Sequence, residues 1–316
     1  MPFNVCRSAE RCITPDNQML TKDMGEKTIM IVDSGSTKAD WCLATRDRVV
    51  CSVQTQGISP VHLSAAEIQA VIKGELLPFV QDSPSEVYFY GSGVLPSLKP
   101  VMDDALKSVF PQAETVCSES DLLGAARALL GRDSGVACIL GTGSNSCYYD
   151  GRQITENTPP LGYILGDEGS GAALGIAFLN ALYKGLLPDG LRAGFEEWAG
   201  MDYAQVISRV YRQPLANRWL ASLSPYISEL CHGNQPVMEV KQLVINEFRT
   251  FIKRNIEVYF AARECERKVC AVGSVAYYYR EEMKEALRRE SGVLGTVLKS
   301  PMKGLLKYHG CAADNS

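Results

Sequence analysis

Apolar and polar positions separate strand-like from helix-like segments along this chain. Between residues 28 and about 57, three short apolar runs are divided by small or charged residues, which predicts an antiparallel meander of three strands. The same pattern returns at 136–140 and continues through 147–149 to residue 154. We therefore predict two copies of one β-hairpin unit, one in each half of the chain.

The segments around these units alternate between strand and helix patterns. Ser64 and Glu67 have the spacing of a capping box ahead of apolar residues at helical intervals, which predicts a helix from about residue 65. Further strands are predicted at 86–90, 114–117 and 268–272, and further helices at 98–109, 171 to about 187, 277–290 and about 301–308. The stretch 190–260 is predicted to be helical. This mixture indicates the α/β class.

Each predicted hairpin has a turn of glycine and small hydroxyl residues. The first contains Ser34, Gly35, Ser36 and Thr37, followed by Lys38, and the second contains Gly141, Thr142, Gly143 and Ser144. Such turns can direct successive backbone N–H groups at an anion such as a phosphate, although one turn of this kind alone is weak evidence. Asp33 ends the first strand and could hold a hydrated divalent cation.

Three other stretches place chemistry at strand ends or helix starts. Asp121 lies in the first turn of a helix rich in Ala and Gly, where it either caps the helix or faces a ligand. Asp167 and Glu168 lie between glycines, where carboxylates can accept hydrogen bonds from hydroxyl groups. Gly273 and Ser274 follow a strand and form either a flat surface for a planar ring or an ordinary βα turn.

Composition limits the functions to be considered. A length of 316 residues, 46% apolar and 22% charged, is enough for two domains with a core in each. The net charge of -4 argues against nucleic acid as the main partner. Eleven scattered cysteines without a Cys-x-x-Cys pair indicate reduced thiols. Since residues 1–27 contain no long apolar stretch, we expect a cytoplasmic enzyme without membrane contact.

The order of these elements resembles that of the actin, sugar-kinase and heat-shock-chaperone ATPase superfamily. Within it, Gly141-Thr-Gly-Ser-Asn-Ser146 and Leu165-Gly-Asp-Glu-Gly-Ser-Gly171 resemble the BadF/BadG/BcrA/BcrD ATPase family, specifically its N-acetylglucosamine kinase branch. The resemblance implies an α/β fold of two ribonuclease-H-like lobes, the actin-like ATPase fold, with a cleft between them. It implies a disordered leader at 1–27, an N-terminal lobe at 28–118, a C-terminal lobe with a helical insertion at 119–298, and a helix at 299–316 that returns to the first lobe.

The resemblance also implies a reaction, in which ATP and Mg²⁺ phosphorylate the 6-hydroxyl of N-acetylglucosamine or a related hexosamine. Asp121 matches the catalytic base, and Asp33 would hold Mg²⁺ through water. The residues implied to contact ATP are Ser34, Gly35, Ser36, Thr37, Lys38, Gly141, Thr142, Gly143, Ser144, Gly273 and Ser274. The residues implied to contact the sugar are Ser59, Asp121, Thr142, Gly143, Asn145, Gly162 and Asp167.

Two departures from the family pattern leave the identity of the sugar open. The loop at 57–62 lacks the Asn of the family, for which Ser59 would substitute, and Tyr163 replaces the usual Trp. Two other functions are compatible with the same fold: an iron–sulfur ATPase that activates a dehydratase, and a non-catalytic sugar sensor. The sequence decides neither between a monomer and a homodimer nor whether Glu168 contacts a ligand.

Overall fold

The first apolar run of the chain forms β1 (Ile29–Ser34), the central strand of a five-stranded sheet. The other strands are β2 (Lys38–Ala44), β3 (Val49–Gln56), β4 (Glu86–Gly91) and β5 (Thr115–Ser120). The strand order is β3-β2-β1-β4-β5, antiparallel from β1 to β3 and parallel from β1 to β5. Because β1 is covered on both faces, Met30, Ile31 and Val32 are all buried.

The fold is that of a computed structural model, which describes residues 27–35, 37–261, 263 and 265–313. Ser36 and the predicted leader up to residue 26 lie outside the described residues.

The second hairpin unit builds a second sheet with the same topology. Its strands are β6 (Gly135–Leu140), β7 (Ser144–Tyr149), β8 (Ile154–Asn157), β9 (Lys268–Val272) and β10 (Val293–Leu298). They are ordered β10-β9-β6-β7-β8, with an antiparallel β6–β7–β8 meander and parallel β6–β9 and β9–β10 pairs. The predicted internal duplication and the α/β fold class are therefore confirmed.

Helices cover the faces of both sheets. The first sheet carries α1 (Ala65–Val71), which continues as a π-helical turn at Ile72–Leu76, and α2 (Lys99–Val109). The capping box of Ser64 and Glu67 at the start of α1 is confirmed. Between the two sheets in sequence lies α3 (Asp121–Leu130).

The remaining helices lie in sequence between the strands of the second sheet or after its last strand. They enclose a large hydrophobic core that includes Phe178, Phe195 and Phe248. They are α4 (Gly162–Leu165), α5 (Gly171–Tyr183), α6 (Leu191–Ala199), α7 (Tyr203–Tyr211), α8 (Ala216–Ala221), α9 (Ser224–His232), α10 (Met238–Phe251), α11 (Glu257–Ala261), α12 (Ser274–Tyr278), α13 (Arg280–Arg289) and α14 (Met302–Tyr308). None of the helices in the described part of the chain has the length and apolar content that crossing a bilayer requires.

Two helices connect the sheets. Leu122, Ala125 and Leu129 of α3 pack on the second sheet, while Gly124 lies against Tyr90 of β4. The last helix, α14, follows β10 of the second sheet but packs against the first, where Leu305 and Leu306 are buried with Ile31. The predicted lobe boundaries at 118 and 298 remain predictions.

Three predicted element boundaries were wrong. The helix predicted at 277–290 begins earlier, at Ser274, and is interrupted at Tyr279, whose buried hydroxyl donates to the Ser224 carbonyl at 2.6 Å. The helix predicted to reach residue 187 ends at Tyr183, and β5 extends to Ser120. Strand β10 was not predicted, since Gly295 interrupts its apolar pattern.

Candidate active site

The two hairpin turns face the same central cleft, which has a volume of about 620 Å³. Most of the predicted site residues line it: Asp33, Ser34, Gly35, Thr37, Lys38, Asp121, Gly141, Thr142, Gly143, Ser144, Asn145, Asp167 and Gly273. Ser59, Gly162 and Ser274 do not line it, and Ser36 lies outside the described residues.

The first turn is closed by a hydrogen bond from the Gly35 N–H to the Lys38 carbonyl at 3.0 Å. The Ser34 hydroxyl is buried and does not face the cleft: it donates to the Ile58 carbonyl and accepts from the Ile58 N–H, both at 2.9 Å. Ser34 therefore anchors the loop after β3. The residue is fully buried and its carbonyl accepts from the Ser92 N–H at 2.9 Å, so the predicted contact between Ser34 and ATP has no geometric support. The exposed Thr37 and Lys38 leave the turn open to the cleft.

The second turn is fixed to the start of α5. The Gly141 N–H donates to the Gly143 carbonyl at 3.0 Å, and the Gly141 carbonyl accepts from the Gly171 N–H at 2.8 Å. Asp167 has a left-handed backbone with φ 57°, and its carboxylate accepts from the Ser144 N–H at 3.4 Å. A Cβ at Gly143 would lie 2.9 Å from the Asp167 carboxylate, so a larger residue here would have to displace that carboxylate.

Asp121 is the first residue of α3, but it does not cap the helix. The cap is Ser120, whose hydroxyl accepts from the Leu123 N–H at 3.2 Å. One oxygen of Asp121 accepts from the Leu122 N–H at 2.8 Å. Burial raises the pKa of Asp121, which makes its carboxylate a stronger base. The alternative of a capping role is therefore not supported, and the carboxyl group lines the cleft.

Asp33 lies directly opposite Asp40 in the β1–β2 pair, and both line the cleft. Burial, followed by the charges of Asp40 and Asp121, raises the pKa of Asp33 to about 7, against a lowering effect of Lys38. Like charges directly opposite each other across two strands are unfavourable. A cation near Asp33 would relieve this repulsion.

The donor set around Asp33 fits a hydrated magnesium ion. Within the described residues, the Asp33 carboxylate accepts no hydrogen bond that would compete with a cation. The same part of the chain contains no group of three or more His, Cys, Asp or Glu side chains arranged around a metal site. Mg²⁺ commonly keeps several waters and uses one or two carboxylates, which is the arrangement that Asp33 could supply.

The structure adds cleft residues that the sequence analysis missed: Asp40, Ser92, Ala125, Ile139, Val272, Lys299, Ser300 and Pro301. Asp40 is two residues from Lys38 on β2, so the alternation of the strand puts both on one face, where their side chains pair at 2.9 Å. Lys299 follows the unpredicted strand β10 and donates to the Tyr278 hydroxyl at 2.7 Å. It brings a second cation to the cleft.

A second cavity, which we call the α9 cavity, has a volume of about 480 Å³ and continues from the cleft. It is lined by Ala221, Ser222, Ser224, Pro225, Ser228, Glu229, Ser274, Val275, Tyr278 and Tyr279. A connecting cavity shares Thr37, Gly141 and Thr142 with the cleft, and Ala221, Ser222, Ser274 and Val275 with the α9 cavity. The predicted residue Ser274 therefore lies on a groove that runs away from both hairpin turns.

On the other side, the α4 cavity of about 350 Å³ adjoins the cleft at Ser144, Asn145 and Asp167. Its walls include Pro159, Pro160, Leu161 and Leu165, and Gly162 begins α4 beside them. Glu168 also lines this cavity, but its carboxylate is engaged with Arg254 at 2.9 Å and Asn255 at 3.1 Å. These two hydrogen bonds connect the loop before α5 to residues 254 and 255.

Ser59 is buried away from these cavities. A Cβ at Gly93 would overlap the Ser59 hydroxyl, and the Ser59 carbonyl accepts from the N–H groups of His62 and Leu63 at 3.0 Å. The expected contact between Ser59 and a sugar therefore has no geometric support.

The cysteines of the described residues lie apart from the cleft. Cys138, Cys147 and Cys270 are buried in the second sheet, where burial raises the pKa of each thiol. None of the described cysteines lines the cleft, so this arrangement gives no support to the iron–sulfur alternative.

Comparison with solved structures shows that the chain is similar to proteins described as sugar kinases. The putative N-acetylglucosamine kinase from Porphyromonas gingivalis is 44% identical, with 89% of this chain and 98% of that chain covered and a TM-score of 0.84. The putative N-acetylglucosamine kinase from Chromobacterium violaceum is 17% identical over 90% of this chain and 99% of that chain, with a TM-score of 0.63. A ROK family glucokinase from Streptomyces griseus, in complex with glucose and AMPPNP, is 14% identical over 89% of this chain and 97% of that chain, with a TM-score of 0.53.

The second and third of these likenesses show the fold alone. No protein-family model matches the chain, and no curated protein matches it.

Proposed function

Because the chain belongs to the N-acetylglucosamine kinase branch of the BadF/BadG/BcrA/BcrD ATPase family, we propose that it transfers the γ-phosphoryl group of ATP to the 6-hydroxyl of an amino sugar. N-acetylglucosamine or a related hexosamine is the proposed acceptor. The observation that carries this proposal is the shared cleft, in which both glycine-rich hairpin turns and the carboxyl group of Asp121 face one space.

Asp121 is the proposed catalytic base. The sugar oxygen attacks the γ-phosphorus, the bond to the β–γ bridging oxygen breaks, and Asp121 accepts the proton of the hydroxyl. Its raised pKa favours transfer of the proton to it. One carboxylate oxygen accepts from the Leu122 N–H, and since Ser120 caps the helix, the other oxygen is left for the sugar hydroxyl. The larger contribution to the rate is expected from holding the two substrates in line, as is usual in phosphoryl transfer.

The proposed phosphate site consists of the two hairpin turns with Lys38 and Lys299 at its edge. Backbone N–H groups would hold the phosphate oxygens, and the lysines would add positive charge. Mg²⁺, when bound, would neutralise phosphate charge, and Asp33 is the residue proposed to hold it through water. The nucleoside would follow the groove past Ser274 into the α9 cavity.

The proposed sugar site lies where the cleft meets the α4 cavity. Asp167 is positioned to accept hydrogen bonds from sugar hydroxyls. The side-chain oxygen of Asn145 already accepts from the Ser146 N–H and the Asn157 amide, both at 2.9 Å, which leaves its NH₂ group to donate to a ligand. An acyl carbonyl could accept from it while the methyl group contacts Leu161 and Leu165. These features support an N-acylated sugar.

An ADP-release assay across N-acetylglucosamine, glucosamine, N-acetylmuramic acid and glucose tests the proposal. We expect the highest kcat/KM with an N-acetylated sugar. Asp121→Asn keeps an oxygen for the Leu122 N–H but removes the base, so kcat should fall by about 10²–10⁴-fold while ADP affinity changes little.

Asp104→Asn, on the exposed face of α2, is the matched control and should retain the parent kcat. Parent-like turnover by Asp121→Asn would remove the assignment of the base. Absence of ADP release with every sugar would remove the kinase proposal itself.

A further inference from the structure

Three side chains form a hydrogen-bonded relay that ends at the α9 cavity. The Ser228 hydroxyl lies 3.1 Å from His232 Nδ1, and His232 Nε2 lies 3.1 Å from both oxygens of Glu282. Ser228 and His232 are one turn apart on α9, and Glu282 is on α13. Ser228 lines the cavity, so the relay connects a buried carboxylate to a ligand surface.

The buried end of the relay determines the direction of each hydrogen bond. Glu282 is 0% exposed, and its carboxylate can only accept, so His232 Nε2 must carry a proton. When the imidazole carries that proton alone, Nδ1 is an acceptor and the Ser228 O–H donates to it. Lys241 Nζ, at 3.3 Å from Glu282, balances the carboxylate charge. With the imidazole in this form, the Ser228 oxygen is presented to the cavity as an acceptor only.

The position of Ser228 along the groove indicates which part of a nucleotide it meets. Ala221, Ser222, Ser274 and Val275 border the connecting cavity, whereas Ser228 and Glu229 line only the end of the α9 cavity that is farther from the hairpin turns. If the turns hold phosphates, which rests on the proposed function, this farther end receives the base. Ser228 and the Glu229 carboxylate both offer acceptors there.

We propose that the Ser228–His232–Glu282 relay makes this site selective for a purine with an amino group at position 6. The 6-amino group of adenine donates a hydrogen bond to the Ser228 oxygen. A 6-oxo purine presents an acceptor at the same place, and a Ser228 hydroxyl that donates to His232 Nδ1 has no proton left for it. A site that leaves polar groups unpaired in this way rejects the wrong ligand strongly.

A purely structural role for the relay has a different signature. If Ser228 and His232 only connected α9 to α13, their loss would weaken all nucleotides equally. The selectivity between ATP and inosine triphosphate separates these cases, since the two differ in the base while the ribose and triphosphate are the same. Steady-state kinetics with both nucleotides, at one saturating sugar concentration, give the ratio of their kcat/KM values.

We expect the parent protein to prefer ATP over inosine triphosphate by about 10²-fold or more. His232→Ala releases the Ser228 hydroxyl, which can then donate to a 6-oxo group, so use of inosine triphosphate should improve about 10-fold or more relative to ATP. Ser228→Ala leaves the His232–Glu282 pair intact. It should lower kcat/KM for ATP but not for inosine triphosphate, so the preference for ATP should fall. The KM for the sugar should not change in either variant.

Ser108→Ala and His62→Ala are matched controls at exposed positions that do not line the groove. Both variants should keep the parent ratio of kcat/KM for ATP and inosine triphosphate. Calorimetric binding of ADP and inosine diphosphate measures the same selectivity without turnover. If no sugar is phosphorylated, the proposed function fails, but the calorimetric comparison of ADP with inosine diphosphate still tests the relay. The two failures can therefore be told apart. A parent protein that binds both diphosphates equally or binds neither, or variants that weaken both equally, would overturn the relay.

Discussion

At the scale of single residues, the carboxyl group of Asp33 is costly to the fold in the absence of a cation. It is buried, lies opposite Asp40 and is repelled by Asp121 as well, and for these reasons, burial first, its pKa is raised to about 7 in the folded protein. At about pH 8 the group is therefore ionised in both the folded and unfolded states, and the folded state alone carries the repulsion. Each tenfold change in a proton-binding constant between the two states corresponds to about 1.4 kcal/mol of stability.

We expect Asp33→Asn to have opposite effects on stability and on magnesium dependence. Without Mg²⁺ at about pH 8, the free energy of unfolding should rise by about 1 kcal/mol or more, because the cost of a buried charge and its repulsion by Asp40 and Asp121 are removed. The Mg²⁺ concentration for half-maximal kinase activity should rise about 10-fold or more, because a ligand-holding charge is lost. Urea unfolding and a Mg²⁺ titration of ADP release measure the two effects.

Asp47→Asn, at an exposed turn position, is the control and should change neither quantity. An Asp33→Asn variant with the parent magnesium requirement would show that this carboxylate does not hold the metal.

Single residues of the site differed in how well the sequence predicted them. Residues within the repeated turns, such as Gly35 and Gly143, follow from a local pattern, and the structure brings them to one cleft. Lys299 could not be predicted, because its position depends on a parallel pairing of β10 with β9 that leaves no local signal. The role of Asp121 was ambiguous, because an acidic residue at a helix start can be either a cap or a catalytic base. The structure separates the two roles, since the Ser120 hydroxyl caps the helix in its place.

At the scale of elements, helix α3 is held between the two sheets by a close contact. A Cβ at Gly124 would lie 2.8 Å from the ring of Tyr90, which is 1% exposed. The Tyr90 hydroxyl is bonded to Arg127 at 3.0 Å and lies 2.9 Å from His309 Nε2, so the ring has little room to move. Because Asp121 is the first residue of α3, a shift of this helix also moves the proposed base.

We therefore expect Gly124→Ala to lower both stability and turnover. Forcing a methyl group into a packed contact costs about 1–3 kcal/mol, and kcat should fall together with the free energy of unfolding. Urea unfolding and the ADP-release assay give the two values. Gly194→Ala in α6 is the matched control: its new Cβ would lie 3.7 Å from the Tyr226 hydroxyl, an ordinary contact, so stability should hold or rise by up to about 1 kcal/mol. A Gly124→Ala protein as stable as the parent would contradict the close packing of α3.

The elements that sequence patterns predicted well are those determined by neighbouring residues. Both hairpin units and the capped start of α1 are of this kind. The break between α12 and α13 lies instead at Tyr279, whose hydroxyl donates to Ser224, 55 positions away in the chain, so its partner leaves no local pattern. The α9 cavity is missed for the same reason, since its walls come from helices that meet only in the folded protein.

At the scale of the whole molecule, α14 ties the end of the chain back to the first sheet. The ring of His309, which follows this helix, stacks on Tyr88 with centroids 4.0 Å apart, and its Nε2 lies 2.9 Å from the Tyr90 hydroxyl. Arg127 of α3 donates to the same hydroxyl, so the Tyr90 proton is directed to His309. His309 is thus an acceptor in its neutral form, at the junction of α3, α14 and the first sheet.

This arrangement predicts a loss of stability in acid. Burial, followed by the charge of Arg127, lowers the pKa of His309 to about 4, with a smaller lowering from Arg132 and an opposing effect of Glu86. The unfolded chain, with a histidine pKa of about 6.5, therefore binds the proton more readily than the folded protein. The stabilisation is complete above about pH 6.5 and is lost as the pH falls to about 4, by up to about 3 kcal/mol.

His309→Gln should flatten this part of the pH dependence, even though the lost ring stack lowers stability at neutral pH. Urea unfolding of the parent and the variant at about pH 7, 5.5 and 4.5 measures the difference between the two free-energy curves, which should narrow as the pH falls. His62→Gln, at an exposed position, should leave the parent curve unchanged in shape. Two curves for parent and His309→Gln that stay parallel over this range would show that the junction formed by α14 does not hold His309 neutral.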